Sequence, residues 1–140
     1  PAEALIRYPR TGILRGCAVS WPPPLHWVGS SKRDLLEFPH GVKDDIGNAL
    51  GIAQFGGTAP TAKPWKGLGP GVLEIVESHD GNAYRTVYTV RFDKAVYVLH
   101  AFQKKSPSGT RTAKRDVELV AQRVKMAQDD YEEHYGKPKR

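Results

Sequence analysis

Three runs rich in apolar, β-branched and aromatic residues, 72–77, 84–92 and 95–102, follow one another along the chain and read as β-strands. His79-Asp80-Gly81-Asn82 and Asp93-Lys94 separate them, so the pattern predicts an antiparallel meander. Upstream the pattern changes. Val42, Ile46, Ala49, Leu50 and Ala53 recur at helical spacing and predict a helix over 41–55, ended by Gly56-Gly57. A shorter helix with Leu35, Leu36 and Phe38 precedes it, opened by the capping-box-like Ser31-x-x-Asp34 and closed by Pro39. Leu25 to Val28 reads as a short strand, and the Gly- and Pro-rich 58–70 as a connection. Downstream, Val117, Val120, Ala121, Val124, Ala127 and Tyr131 form the stripe of a last helix capped by Thr112. The predicted order is β-α-α-β-β-β-α: a meander with a short N-terminal strand, packed by an N-terminal helical hairpin and a C-terminal helix.

Strand alternation assigns faces. Leu73 and Ile75 share one, Glu74 and Val76 the other. Arg85, Val87, Thr89 and Arg91 lie together, opposite Thr86, Tyr88 and Val90. In the third strand Val96, Val98, His100 and Phe102 are expected to oppose Tyr97, Leu99 and Ala101. One face packs on the helices and the other stays partly polar, marked by Glu74 and Arg85, as in a two-layer α+β domain. Residues 1–24 lack periodicity and end in three prolines, so they read as an N-terminal extension, loosely ordered or draped on the domain. The domain is expected over 25–135 and a short tail over 136–140.

Composition narrows the classes. A chain of 140 residues, 39% hydrophobic and 26% charged, fits one globular domain with its own core. No stretch approaches the roughly 18 apolar residues of a membrane span, and the opening lacks the continuous apolar core of a signal peptide. The single Cys17 excludes an internal disulfide and suits a reducing, cytoplasmic setting. Five scattered histidines without HxxxH spacing offer no metal set, so neither metal nor cofactor is expected. The net charge of +6 favours an anionic partner, nucleic acid ahead of an acidic protein or a membrane surface. Between Lys104 and Arg115 there are five Lys or Arg residues and no Asp or Glu, directly after the last strand.

That placement selects the candidates. Arg85 is a phosphate clamp or the partner of a cross-strand ion pair with Glu74. Glu74 is a general base or the group that holds Arg85, and the structural role weighs more. Lys104 and Lys105 contact phosphate or sit in a solvated loop. Trp65, flanked by Lys63 and Lys66, stacks on a base beside a phosphate contact, packs in the core, or lids the sheet edge. Thr110, Arg111 and Thr112 bind phosphate at a helix start or cap that helix. His79 lies in a turn, either catalytic or merely exposed. His100, on a strand, reads as a satisfied, half-buried histidine.

Several segments carry a family resemblance: LHWVGSSKRDL, KPWKGLGPGVLEI, GNAYRTVYTV, LHAFQKKS and TAKRDVELVAQR, in this order. Over roughly 25–133 the chain resembles the phage-derived, Gp49-like branch of the HigB/RelE toxins of toxin–antitoxin systems. The resemblance implies a RelE-like α+β fold and a metal-independent endoribonuclease that cuts mRNA on the ribosome. It also implies neutralisation by a HigA-like helix-turn-helix antitoxin, through which alone the complex would reach operator DNA. By resemblance Arg85 faces the scissile phosphate, and Lys104 and Lys105 form the basic pair after the last strand, Lys105 being the better match. Where the best-studied members carry two strand lysines, this chain has Glu74 and Val76; the Gp49-like branch often has Glu at the first position. The catalytic tyrosine of some members has no counterpart, which leaves His79, Tyr84 or Tyr88 as substitutes. Loss of the two strand lysines motivates the alternative, a catalytically inactive RNA-binding or corepressor protein of the same fold. A basic interaction domain with no toxin role is the other rival.

Overall fold

The computed structural model describes residues 21–104 and 112–136. The elements are β1 (Leu25–Trp27), α1 (Ser31–Leu36), α2 (His40–Gln54), β2 (Ala62–Pro64), β3 (Val72–His79), β4 (Asn82–Thr89), β5 (Val96–Lys104) and α3 (Lys114–Tyr135). The α+β class and the three-strand meander are present, together with a strand absent from the expected order: β2 lies inside the Gly/Pro-rich connection. The sheet has five strands in the order β1-β5-β4-β3-β2. β1 runs parallel to β5, and the other pairs are antiparallel.

The β3–β4 hairpin turns on Asp80 and Gly81, with φ of 50° and 80°. Both central residues therefore take the left-handed conformation that a two-residue hairpin loop needs to match the strand twist. At the N-terminal side, Pro24 accepts a hydrogen bond from the Val96 amide at 2.9 Å, and Pro23 accepts one from Gln54 Nε2 at 2.8 Å.

Two apolar clusters form, one on each face. Leu35, Ile46 and Leu50 of α1 and α2 pack on Ile75, Tyr88 and Val98. Val120, Val124, Ala127 and Tyr131 of α3 pack on Val72, Val87, Tyr97 and Leu99. The domain therefore has three layers, correcting the two-layer expectation. α3 is long enough, at about 1.5 Å per residue, to cover much of the second face by itself.

A bulge explains a second correction. Val87 pairs with His100 and Tyr88 with Val98, so Leu99 is the extra residue of β5. Beyond a bulge the alternation of faces reverses. His100 and Phe102 thus join Tyr97 and Leu99 on the α3 side, and Ala101 turns to the α1–α2 side. Arg123 of α3 secures this irregularity, donating from Nη1 to the Leu99 carbonyl at 2.9 Å and from Nη2 to Ser30 Oγ at 3.2 Å. Burial lowers the Arg123 pKa and Asp34 opposes that.

The helix starts also differ from expectation. Ser31 does not cap α1: it is fully buried, and its hydroxyl donates to the Val98 carbonyl at 3.1 Å. Ser30 Oγ instead donates to Asp34 Oδ2 at 2.7 Å. Ala113, not Thr112, stands at the start of α3, and no side chain caps that helix. No helix among the described residues is long and apolar enough to cross a membrane.

Candidate functional site

The second face is not wholly covered by α3. Val120 is fully buried, but Val117, one turn earlier, is 41% exposed. The uncovered strip next to edge strand β2 is a groove of about 470 Å³. Its floor carries Glu74 and Arg85, its β2 side Lys63, Trp65 and Lys66, and its α3 side Thr112 and Val117.

Register places these groups. Lys63 lies directly opposite Glu74. Arg85 is one strand over, diagonal to Glu74, and faces Phe102 on β5. Lys104, two residues beyond Phe102, points to the same face because β5 runs through to it. Arg85 Nη1 donates to Glu74 Oε1 at 2.7 Å, with the two side chains only 12% and 10% exposed. Glu74 is the only carboxylate lining the groove among the described residues. It faces an excess of cations.

That excess leaves donors unspent. Among the described residues Trp65 Nε1, Arg85 Nε and Lys104 Nζ are buried without a hydrogen-bond partner. Native proteins pair such atoms almost everywhere, so several on one face call for an acceptor. The Lys104 pKa is lowered, first by burial and then by Arg85; Glu74 opposes this and Lys63 adds to it. These influences show that Lys104 belongs electrostatically to the same cluster.

Lys63, Trp65, Lys66, Glu74, Arg85 and Lys104 are thus brought together. His79 is not: it ends β3 in the row of Ile75, on the α1–α2 side, and sits 3.4 Å from Asp80. Tyr88 is 1% exposed inside the α1–α2 core, where burial raises its pKa. It cannot meet a ligand in the groove, nor can Tyr84, whose ring packs 4.9 Å from Phe38 on that same side. The alternation rule separates all three from Arg85. Lys105, Thr110 and Arg111 lie outside the described residues, as do most of the N-terminal extension and of the tail.

One pair was missed. His100 Nε2 is 2.9 Å from Asp116 Oδ1, with the side chains 8% and 16% exposed. A carboxylate only accepts, so Nε2 carries the proton and Nδ1 is left without a partner. The ring stacks on Phe102 at 4.8 Å. This pair ties the first turn of α3 to β5 and so fixes the groove wall at Val117. Nothing in the local pattern flags it, because the partners are 16 residues apart and the bulge reverses His100's face. Among the described residues no group of three or more His, Cys, Asp or Glu is gathered for a metal ion.

A basic, donor-rich groove with one buried carboxylate has the chemistry to hold an anion with several acceptor oxygens. In sequence, the family described as phage derived protein Gp49-like (DUF891) matches residues 33–125. That span includes every groove residue named above. No curated protein and no solved structure matches the chain.

Proposed function

Because the chain belongs to the phage-derived Gp49-like family, which is associated with the toxins of toxin–antitoxin systems, we propose that it is a toxin endoribonuclease of RelE-like fold. Its groove cuts mRNA on the ribosome, and a HigA-like helix-turn-helix antitoxin neutralises it. The observation that carries this reading is the set of partnerless donors around the Glu74–Arg85 pair.

The chemistry asks for little more. The RNA 2′-oxygen attacks the adjacent phosphorus, the P–O5′ bond breaks, and a 2′,3′-cyclic phosphate and a 5′-hydroxyl result. A base takes the 2′-proton and an acid supplies one to O5′. Negative charge on the five-coordinate phosphorus meets Arg85 and Lys104, fixed cations that need no reorganisation. Lys63 and Lys66 hold neighbouring phosphates. Glu74 orients Arg85; its 2.7 Å bond and burial favour that role over the role of base. Lys104, with its lowered pKa, is nearer than an ordinary lysine to the range in which an amine exchanges protons.

RNA 5′-end mapping after induced expression, wild type against Arg85→Ala, tests the reading. Cuts in translated messages that fall about 10²-fold in the variant support it. Soluble, folded wild-type protein that produces no cuts favours the inactive, corepressor alternative. The Glu74–Arg85 bond itself motivates that alternative, since it engages one end of the guanidinium.

A further inference from the structure

We infer that Trp65 serves the groove through its indole N–H, as a fixed and uncharged hydrogen-bond donor to a backbone phosphate of single-stranded RNA. This rests on the nuclease reading and assigns a part of the site that the cations leave open.

Trp65 lines the groove, yet it is only 6% exposed. Its ring belongs to the apolar cluster with Val72 and Val87, and the half-buried Leu68 packs against it. Its backbone is pinned as well, the amide donating to the Val72 carbonyl at 2.9 Å. A stacking platform has to present a ring face to the base. A ring this enclosed has no face to present without unpacking the cluster. Its one polar group is the indole N–H, which is buried beside the groove with the rest of the ring.

That group is unspent. Buried indole N–H groups usually find a partner, and Trp65 Nε1 has none among the described residues. Leaving a buried donor unmade costs free energy that an incoming acceptor recovers. Around it the groove presents mainly donors: Lys63 and Lys66 flank it in sequence, and Arg85 Nε is likewise unpartnered. The complement of such a lining is a group that only accepts, as a phosphodiester does. Being neutral, the indole releases no counterion on binding, so its contribution does not depend on salt. The lysines' contributions do.

The discriminating variant replaces Trp65 in the full chain with benzothienylalanine, in which sulfur stands in for the N–H while shape and ring faces are kept. The probe is a six-nucleotide single-stranded RNA made uncleavable by 2′-O-methylation, titrated over a salt series, with thermal unfolding measured in parallel. The expected result is affinity about tenfold weaker at every salt concentration, an unchanged salt slope, and an unfolding temperature no lower than wild type. Unchanged affinity overturns the donor role and leaves the nuclease reading standing. Weakened affinity with a lowered unfolding temperature also overturns it, because the N–H would then be serving the fold. Wild-type protein that binds no RNA overturns the proposal, while the nuclease reading is decided separately by the 5′-end mapping.

Discussion

Replacing Glu74 with Gln should cost more stability than replacing Arg85 with Met, although the two residues share one ion pair. Breaking a fully buried pair costs about 3–5 kcal/mol, chiefly from the charge left behind. Here the side chains are 12% and 10% exposed and face a groove, so the figure falls below that range. After Arg85→Met, Glu74 still has Lys63 opposite it and Lys104 within electrostatic reach. The loss should be about 1 kcal/mol. After Glu74→Gln, Lys63, Arg85 and Lys104 face one another with no carboxylate among them, and the loss should be about 2 kcal/mol. The double variant should cost less than the sum of the singles. Urea unfolding of the four proteins gives these differences directly, provided the m-value is constant. The Glu74→Gln penalty should also shrink as salt rises, because the repulsion acts over distances comparable to the Debye length of about 10 Å at 0.1 M. Equal costs, or a Glu74 penalty indifferent to salt, would refute the idea that one carboxylate balances three cations.

Three further outcomes are expected. Lys63→Ala and Lys66→Ala should each weaken RNA binding and make log K less dependent on log salt, by about 0.7 per lost phosphate contact on a single strand, read from a titration series. Gly29 has φ of +58°, and a Cβ there would lie 2.8 Å from Arg123 Nη2; Gly29→Ala and Arg123→Met should therefore each destabilise by about 2 kcal/mol in chemical denaturation, since either change disturbs the guanidinium that holds the Leu99 bulge. Burial lowers the His26 pKa from its usual 6.5, against an opposing pull from Asp130. The unfolded chain therefore binds the proton first as pH falls, so stability should drop below about pH 6.5 until the folded pKa is passed. His26→Asn should flatten that drop relative to wild type, and equal slopes for the two proteins would contradict the assignment.

How much was legible follows from how local each signal is. The meander, the β3–β4 turn and the two long helices could be read from the chain because hydrophobic period and turn chemistry act over a few residues. The Gly/Pro-rich stretch hid β2, since three residues at a sheet edge have no period of their own. β5 hid its bulge because Val96 to Ala101 is buried on both faces, and a strand buried on both sides carries no alternation to count. From the bulge follow the true face of His100, its bond to Asp116, and the position of the α3 wall.

The sequence by itself determined the α+β class, the family, the net positive charge and the presence of Arg85, Glu74, Lys63 and Lys104 as candidates for one anion site. Tertiary structure decided which of them meet. It placed α3 opposite α1 and α2, buried Tyr88 in the layer away from the groove, carried Lys104 onto the strand, and buried Trp65 with its N–H unpartnered. Those outcomes depend on pairs distant in sequence and on burial, both set when the sheet closes between its two helical layers, and a pattern read a few residues at a time contains neither.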